Sequence, residues 1–283
     1  RVIDTAELSQ TDHRNIYLVY VRDGNGNNIA AEEAYGDNHR TEVTKKFINE
    51  YGELVICCDS REYWRKSVFE HYKAHRKKDR ENSSIDWAEI FKCLNKVKLE
   101  LSNHFPYPLM EVKGAEADDI IAVLCSYERE KTLILSGDKD FMQLQSHPNV
   151  FQYSPMQKKF IRTEDPLKFK KEHIMRGDRG DGIPNFLSRG DVFISGGRQK
   201  PLSKKKMDNW LTMKPEVFCD YEMLKGYKRN ELLVDLDKIP EDIVEDIKLE
   251  YIHRTENGNG RSKLLPYFME NKLKNLMENI NDF

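Results

Sequence analysis

The sequence lacks both a long hydrophobic run and a recognisable leader. Within its 283 residues, no apolar stretch reaches the roughly 20 residues that cross a membrane. No segment joins basic, apolar and small residues in the order of a signal peptide. We therefore expect a soluble protein of the cell interior with no membrane partner. The first residue is Arg1 rather than Met, and the first predicted strand is short, so we expect the native chain to begin slightly further upstream.

Cysteine is scarce and is not arranged to bind metal. No CxxC pair occurs, and no histidine stands at a zinc-ligand interval from a cysteine. The cysteines lie in apolar or helix-like contexts, which predicts reduced core residues. They are Cys57, Cys58, Cys93, Cys125 and Cys219.

The chain also lacks a large net charge. Its formal charge of −2 alone argues against a polyanionic partner, yet 33% of the residues are charged and the two signs are separated along the chain. Basic residues gather at 65–80, and five more lie at 198–206 without an acid. These local clusters therefore matter more than the sum.

Short apolar runs alternate with helical patterns in the first part of the chain. Buried strands are predicted at Val2-Ile3, Leu54–Cys58, Thr132–Leu135 and Val150–Tyr153. Helices are predicted at Thr41–Tyr51, Trp87–Phe105 and Asp118–Tyr127. This alternation predicts an α/β fold with a parallel sheet flanked by helices. The segment Thr11–His39 stays open between a hairpin arm and a helix that ends in a loop.

The pattern changes after about Asp165. Charged helices and glycine-containing loops follow, which predicts a mainly helical second region. We therefore expect two regions, one at 1–165 that contains the sheet and one at 166–283 that is mainly helical.

Acidic residues follow several predicted strands. Asp4 ends the first strand, Asp59 follows the second, and Asp138 with Asp140 follows Thr132–Leu135. Because ligands of an open parallel sheet bind outside the carboxyl ends of the strands, these acids should converge on one edge. Further acids stand at a helix start and in a Gly-interrupted turn: Glu116, Asp118, Asp119, Asp178 and Asp181.

So many carboxylates cannot stay ionised together without cations, because like charges raise one another's pKa. Hard divalent ions such as magnesium or manganese are the natural partners, and two ions roughly 4 Å apart would stabilise both oxygens of a phosphodiester displacement. Taken singly, Asp59 or Asp138 fits a helix cap, and 116–119 fits an ordinary helix start. Their joint occurrence favours a metal site.

A basic, aromatic segment at Tyr63–Trp87 begins shortly after Asp59. It predicts a basic helix or arch over the acidic edge. At helical spacing, Lys73 and Arg76 face one way and offer two cations to a phosphate, while Tyr72 offers a ring to a base. The other basic residues assigned to phosphate contacts are Lys77, Lys78 and Arg80. For three aromatics we expect packing on the core instead: Tyr63, Trp64 and Phe69.

With these residues in hand, the chain resembles the flap-endonuclease family of 5′-nucleases, and within it the ribonucleases H of T-even bacteriophages. The matching segments are VID at Val2–Asp4, CCD at Cys57–Asp59, YKAHR at Tyr72–Arg76, EADDIIAVL at Glu116–Leu124, SGDKDFMQL at Ser136–Leu144 and GDRGDGIP at Gly177–Pro184. The likeness continues through SPMQKKF, LVDLDKIPEDI and the ending NINDF. It covers nearly the whole chain in order.

The resemblance implies a PIN-like 5′-nuclease fold with a resolvase-like catalytic domain at 1–165 and a helical, DNA-binding region at 166–283. It implies a two-magnesium enzyme, with manganese as a substitute, that is a 5′-to-3′ exonuclease and flap endonuclease. The substrates would be DNA and RNA:DNA duplexes with a free 5′ end or flap. The enzyme would remove RNA primers from lagging-strand fragments in the cytoplasm of the infected bacterium. A phage single-strand-binding protein and a sliding clamp are family-level partners, and a monomer is expected.

The resemblance also assigns roles to residues. Those that would hold the first ion, or lie near it, are Glu116, Asp118, Asp138, Asp140, Asp4 and Asp59, with Asp119 adjoining them. Asp178 and Asp181 would hold the second. Lys73 and Arg76 would contact the scissile phosphate, and Tyr72 would stack on a base. Asp118 and Asp138 are expected to be essential for cleavage.

One stretch departs from the family pattern. After Pro184 come Asn185-Phe186-Leu187-Ser188 instead of a glycine-rich continuation, which puts a potassium-assisted grip on the duplex in doubt. The loop at 196–206 is expected to replace it with direct contacts from Arg198, Lys200, Lys204, Lys205 and Lys206.

Two rival functions fit parts of the pattern. A phosphatase with an aspartate nucleophile would use the pair in DKD, but it needs paired aspartates after the first strand, which ends in the single Asp4. A non-catalytic, DNA-binding replication factor with a structural acidic cluster is the other. A metal-dependence assay on a 5′-labelled duplex separates these readings.

Overall fold

A computed structural model describes residues 47 and 50–283, with the backbone alone at 2–4, 21–22, 28–29, 78–79 and 282. Within this part of the chain the strands are β1 Val2–Asp4, β2 Val21–Arg22, β3 Asn28–Ile29, β4 Val55–Cys58, β5 Leu109–Glu111, β6 Thr132–Leu135, β7 Val150–Ser154 and β8 Lys159–Ile161. The helices are α1 Arg65–Val68, α2 His75–Glu81, α3 Trp87–His104, α4 Ala117–Tyr127, α5 Pro166–Arg176, α6 Lys204–Leu211, α7 Pro215–Phe218, α8 Tyr221–Val234, α9 Glu241–Glu256, α10 Leu264–Glu270 and α11 Lys274–Glu278. A 3-10 helix, Asp140–Ser146, follows β6.

The main sheet has the strand order β5-β4-β1-β6-β7-β8. All its neighbouring pairs are parallel except β7 and β8. Every residue of β4 and of β6 is buried. Because helices cover both faces of a parallel sheet, its strands read as continuous apolar runs, as these two do. The predicted parallel α/β fold is confirmed.

The core lies on both sides of this sheet. On one side, α4 contributes Ile120, Ile121 and Leu124, which are almost fully buried. On the other side, Leu133 and Tyr153 pack with Phe47. The α4 helix is held firmly there, and its first turn is fixed beside the carboxyl ends of β4 and β6.

The predicted strands all occur, whereas β5 and β8 were not predicted. Each has three residues and part of its length is exposed, so neither shows a clear period. The helix expected at Trp87–Phe105 ends one residue earlier, at His104. The antiparallel pairing of β2 with β3 favours the hairpin reading of that segment. The rest of 11–39, and most of the helix predicted at Thr41–Tyr51, lie outside the described residues.

The helices after residue 165 pack against the sheet domain. Ile243 and Ile247 of α9 share a core cluster with α4. The amide of Gln143 donates to the carbonyl of Val234 at 3.1 Å, and its oxygen accepts from the nitrogen of Leu236 at 3.0 Å. The division at residue 165 is therefore crossed by shared apolar packing and by buried hydrogen bonds.

Two properties of the surface complete the fold. One cysteine differs from the prediction: Cys93, on α3, is exposed, whereas Cys57, Cys58 and Cys125 are buried and Cys219 is half-buried. Among the described residues, the structure has no helix long and apolar enough to cross a membrane.

Candidate active site

The carboxyl edge of the sheet carries a pocket lined by acids. In the register of the sheet, Asp4 pairs with Cys57 and adjoins β6, so its backbone lies at this edge; its side chain is outside the described part. Asp59 follows β4, and Asp138 follows β6. The acids that line the pocket are Asp118, Asp140, Asp178 and Asp181, with Arg65 and Tyr72 beside them. The four acids that line the pocket come from three separate stretches of the chain.

The second pair of acids is presented by a tight turn after α5. Gly177 ends that helix at φ +67°, and a Cβ there would lie 2.4 Å from the carbonyl oxygen of Ile183, so only glycine fits. Asp178 Oδ1 accepts a hydrogen bond from the backbone nitrogen of Asp181 at 3.0 Å. This bond turns both carboxylates toward the pocket.

Arg65 begins the basic cluster at 65–80, but its side chain does not belong to an exposed basic surface. The side chain is 2% exposed. Its guanidinium contacts Glu116 Oε2 at 2.9 Å and Asp119 Oδ1 at 2.7 Å, and its Nε donates to the carbonyl of Leu233 at 2.9 Å. Since two carboxylates and a carbonyl surround it, Arg65 is a structural counter-ion between α4 and the end of α8.

Asp119 is likewise not positioned as a metal ligand. It is fully buried, and its Oδ2 accepts from the backbone nitrogen of Glu116 at 2.9 Å and from Trp64 Nε1 at 3.2 Å. It therefore caps the first turn of α4 and binds Arg65, whereas Asp118, one residue earlier, lines the pocket. Trp64 and Phe69 are buried and Tyr63 is packed against the core, as predicted for these aromatics.

Two side chains of the basic segment, Lys73 and Arg76, contact acids of the site. Lys73 Nζ lies 2.6 Å from Glu116 Oε1 and 3.5 Å from Asp181 Oδ1. Arg76 Nη2 lies 2.8 Å from Asp181 Oδ1. Burial lowers the pKa of the Lys73 ammonium, but Asp181 and Glu116 outweigh it, so the pKa is raised above its ordinary value and the group stays charged.

The same segment is not one continuous helix, contrary to the spacing argument. Lys73 has φ +54°, and α2 begins only at His75. The backbone nitrogen of Lys73 donates to the carbonyl of Asp181 at 2.8 Å. Gly182, at φ +74°, allows this approach, since a Cβ would lie 3.1 Å from the carbonyl oxygen of His71.

Tyr72 takes a different place from the one expected for a base-stacking ring. It is 3% exposed and packs edge-to-face on Tyr63, with 5.6 Å between ring centroids. Its hydroxyl lies 3.0 Å from Glu116 Oε2 and 2.8 Å from Asp181 Oδ2. Burial and these two carboxylates raise the pKa of Tyr72 well above its usual range. The ring therefore has no open face for a base in this structure.

Asp138 and Asp140 are neighbouring acids whose pKa values are raised. Burial, opposed by His173 and strengthened by Asp138, raises the pKa of Asp140 to about 7. Burial also raises the pKa of Asp138, against a hydrogen bond of 3.0 Å that its Oδ1 accepts from the backbone nitrogen of Asp140. Oxygen-only donors that the protein's own cations do not neutralise are what a hard divalent ion requires. The residues present therefore fit a divalent metal centre.

His173 is a residue of this site that the sequence reasoning missed. Its Nδ1 lies 3.3 Å from Asp140 Oδ1, and its Nε2 lies 3.4 Å from Asp178 Oδ2. The ligand atoms of these residues form a group compact enough to surround an ion. The available signal was its position in the last turn of a helix that ends at Gly177-Asp178.

Asp59 has the helix-capping role that an isolated aspartate after a strand predicts. Its Oδ1 accepts a hydrogen bond from the backbone nitrogen of Ala117 at 2.7 Å, at the start of α4. Its charge also acts on Lys73. Asp59 therefore orients the helix that carries Asp118, whatever it contributes to an ion.

The remaining basic residues lie around the site and on the helical region. Arg80 is half-buried above the ring of Phe91, at 5.9 Å. The side chain of Lys78 is outside the described part. The exposed ones are Lys77, Arg198, Lys200, Lys204, Lys205 and Lys206. The last three form the first turn of α6 rather than a loop.

Two family models together match most of the chain. Residues 14–174 match the 5′-3′ exonuclease N-terminal resolvase-like domain, and residues 169–283 match the C-terminal domain of T4 RNase H. The chain belongs to the 5′-3′ exonuclease family. It is a member of a family of hydrolytic nucleases that includes ribonuclease H and flap endonuclease, with an acidic cluster suited to metal.

Individual relatives within the 5′-3′ exonuclease family agree. The chain is 34% identical over 245 residues to ribonuclease H of Enterobacteria phage T4, a match covering 82% of this chain and 80% of that protein. It is 27% identical over 225 residues to a 5′-3′ exonuclease of Aquifex aeolicus, covering 74% and 73%.

The fold is shared with a solved nuclease. The flap endonuclease of bacteriophage T5, in a pseudo-enzyme-product complex with DNA and metal ions, superposes with a TM-score of 0.58 at 15% identity, covering 90% of this chain and 98% of that one. A second T5 structure, co-crystallised with metal ions, gives 0.59 at 15% identity, covering 89% and 97%. At this identity the likeness establishes the fold.

The buried position of Arg65 predicts a large stability effect. Arg65→Met should lower the free energy of unfolding by about 3 to 5 kcal/mol, because it leaves two buried carboxylates without their counter-ion. Urea unfolding measures the change, and Arg61→Met, at an exposed position just upstream, is the matched control. A loss no larger than the control's would mean that the ion pairs contribute little.

The raised pKa of Asp140 predicts a pH dependence. Its stabilising contribution is full below the ordinary value of 3.8 and is lost as the pH rises through about 7 in the metal-free protein. Magnesium competes with protons for this carboxylate, so it should stabilise the protein by about 2 to 3 kcal/mol at roughly 100-fold excess over Kd at high pH, and far less near pH 5. Thermal unfolding with and without magnesium checks this, and equal stabilisation at both pH values would contradict it.

Proposed function

We propose that this protein is a two-metal, magnesium-dependent 5′-to-3′ exonuclease and flap endonuclease. It cuts DNA and RNA:DNA duplexes that have a free 5′ end or flap, and it removes RNA primers during phage DNA replication. The observation that carries the proposal is the juxtaposition of buried acids with two cations: Lys73 and Arg76 reach across the pocket to the carboxylates of Glu116 and Asp181. Charges of both signs at one edge suit a phosphodiester held between metal and protein.

The carboxylates divide into two sets by their place in the fold. Those at the ends of the strands and the start of α4 would hold one ion: Asp118, Asp138 and Asp140, with Glu116 beside them and Asp4 and Asp59 nearby. Asp178 and Asp181, on the turn after α5, would hold the other. Such ions, when bound, supply Lewis-acid stabilisation of the attacking and leaving oxygens, and manganese could replace magnesium.

The chain's own cations would position the substrate. Lys73 and Arg76 both contact Asp181, which lines the pocket, so both lie beside the place where a scissile phosphate would bind. An ammonium and a guanidinium on a phosphate stabilise the charge that grows on its oxygens in the transition state. Their ion pairs with the acids also hold the two charges in place before a substrate binds.

A second basic surface would hold the duplex. The loop that carries Arg198 and Lys200 is hydrogen-bonded to the segment after Pro184 that departs from the family pattern. Asn185 Nδ2 donates to the carbonyl of Lys200 at 2.9 Å, and the nitrogen of Lys200 donates to Ser188 Oγ at 2.8 Å. Exposed lysines of α6 continue this surface. A fixed basic loop beside a helix start supports direct phosphate contacts in place of a potassium-assisted grip.

Family likeness alone supports the wider setting. We expect a monomer in the cytoplasm of an infected bacterium, recruited by a phage single-strand-binding protein or sliding clamp. The DNA-bound flap endonuclease of phage T5 shares the fold, which supports a nucleic-acid substrate.

A non-catalytic replication factor is the alternative. It is favoured by the structural use of Glu116 and Asp119, which Arg65 binds, and of Asp59, which caps α4. It leaves unexplained why Asp138 and Asp140, two half-buried acids at this edge of the sheet, lie close together with raised pKa values. The two functions differ in whether a 5′-labelled duplex is cut when magnesium is added.

The first prediction for this function concerns the substrate end. One duplex sequence should be labelled at the 5′ terminus, labelled at the 3′ terminus, and ligated into a circle, all in magnesium at low salt. We expect short products from the 5′ terminus and an intact circle, because the strand must enter beneath the basic segment.

The controls for that experiment are Asp138→Asn and Asp118→Asn. Each should abolish cleavage and keep substrate binding, since the basic surface is unchanged. Digestion of the circle at a similar rate, or early small fragments from the 3′ label, would contradict 5′ polarity. Comparable turnover by the aspartate variants would contradict the metal assignment.

The second prediction separates the cations of the pocket from those of the duplex surface. Lys73→Ala and Arg76→Ala should each slow single-turnover cleavage at saturating substrate by about 100-fold or more. The triple variant Lys204→Ala, Lys205→Ala and Lys206→Ala should weaken binding, reduce its salt dependence and keep the saturated rate. If the pocket variants only weaken binding, Lys73 and Arg76 serve general attraction rather than catalysis.

A further inference from the structure

His173 stands between the two sets of acids. It lies in the last turn of α5, with 11% of its side chain exposed, and its ring packs edge-to-face on Phe169 at 5.8 Å. One ring nitrogen faces Asp140, which begins the 3-10 helix after β6, and the other faces Asp178 in the turn after α5. No other described side chain is placed by an ion pair against both of these carboxylates.

Each ring nitrogen of His173 is directed to a different carboxylate, at 3.3 Å and 3.4 Å, so the ring bridges the two acids in this structure. The contacts use one oxygen of each carboxylate, Oδ1 of Asp140 and Oδ2 of Asp178. A carboxylate has two oxygens, so Asp140 keeps its second oxygen for an ion.

His173 lies between two carboxylates that have no reason of their own to stay close, because both carry a negative charge. Asp140 and Asp178 come from different elements, and their like charges repel each other. The turn that holds Asp178 is tied to α5 by Gly177, whose nitrogen donates to the carbonyl of His173 at 2.8 Å. His173 is thus attached by its backbone to the turn and by its side chain to the opposite acid.

We propose that His173 is a positioning residue that holds the carboxylates of Asp140 and Asp178 in the orientation that two divalent ions require, and so increases the affinity of the site for metal. The proposal rests on the proposed two-metal function. Residues that hydrogen-bond metal-ligating groups typically change metal affinity by about 10- to 100-fold when they are removed. His173 does not itself coordinate an ion in this assignment.

The test is calorimetric titration of the metal-free full chain with magnesium and, separately, with manganese, without substrate. His173→Ala should weaken binding of both ions by about tenfold or more. His173→Lys should recover part of the loss, because an ammonium can donate to both carboxylates. His253→Ala, at an exposed site on α9, is the matched control and should bind like wild type.

Unchanged affinity in a folded His173→Ala variant overturns the positioning role. Failure of His173→Lys to recover any affinity overturns it in favour of direct nitrogen coordination, since an ammonium donates hydrogen bonds but cannot coordinate an ion. If wild type binds neither ion, the two-metal function itself fails. Melting curves monitor folding, and if His173→Ala does not fold, His173→Gln is titrated in its place with the same expectations.

Discussion

Electrostatic repulsion among carboxylates gathered at one sheet edge is the constraint on which the rest of this structure depends. A parallel sheet brings the ends of its strands together, so acids that follow β4 and β6 meet the acids at the start of α4 and in the turn after α5. Three basic side chains contact these acids, namely Arg65, Lys73 and Arg76, and His173 contacts two more of them. The pKa values of Asp138 and Asp140 stay raised even so.

The three basic side chains around the acids differ in their exposure to solvent. Arg65 is enclosed, and its bond to the carbonyl of Leu233 joins the sheet domain to the end of α8. It therefore fixes Glu116 to the scaffold and is not free to follow a substrate. Lys73 is also largely buried, with 9% of its side chain exposed, whereas Arg76, at 28%, is the more open of the two cations that contact Asp181.

The parts of the molecule that the sequence predicts are those governed by local rules. Strands β4 and β6 are apolar because both faces are covered, and the acids at their ends follow from the topology of a parallel sheet. A rule about residue types cannot tell Asp118, which lines the pocket, from Asp119, which is buried one position later. That distinction depends on Arg65, 54 residues away along the chain.

The same limit explains Tyr72 and His173. A tyrosine beside lysines fits an exposed, base-stacking ring, and only the tertiary fold shows it enclosed by Tyr63, Glu116 and Asp181. A single histidine on a lysine-rich helix has no periodic signal, and its role arises from an acid on another element. Local patterns thus predict where the site lies, while long-range ion pairs decide which residues can act in it.

The backbone of Lys73 is strained at the position where its ammonium contacts the acids. A non-glycine residue at φ +54° costs on the order of 1 to 3 kcal/mol. Glycine would relieve the strain but would remove the ammonium that contacts Glu116 and Asp181. The glycine lies in the opposite segment instead: Gly182, in the turn after α5, lets the backbone of Lys73 reach the carbonyl of Asp181. Asp181 is therefore bonded to the basic segment by both its backbone and its side chain, and any movement of that segment must move one of the carboxylates assigned to the second ion.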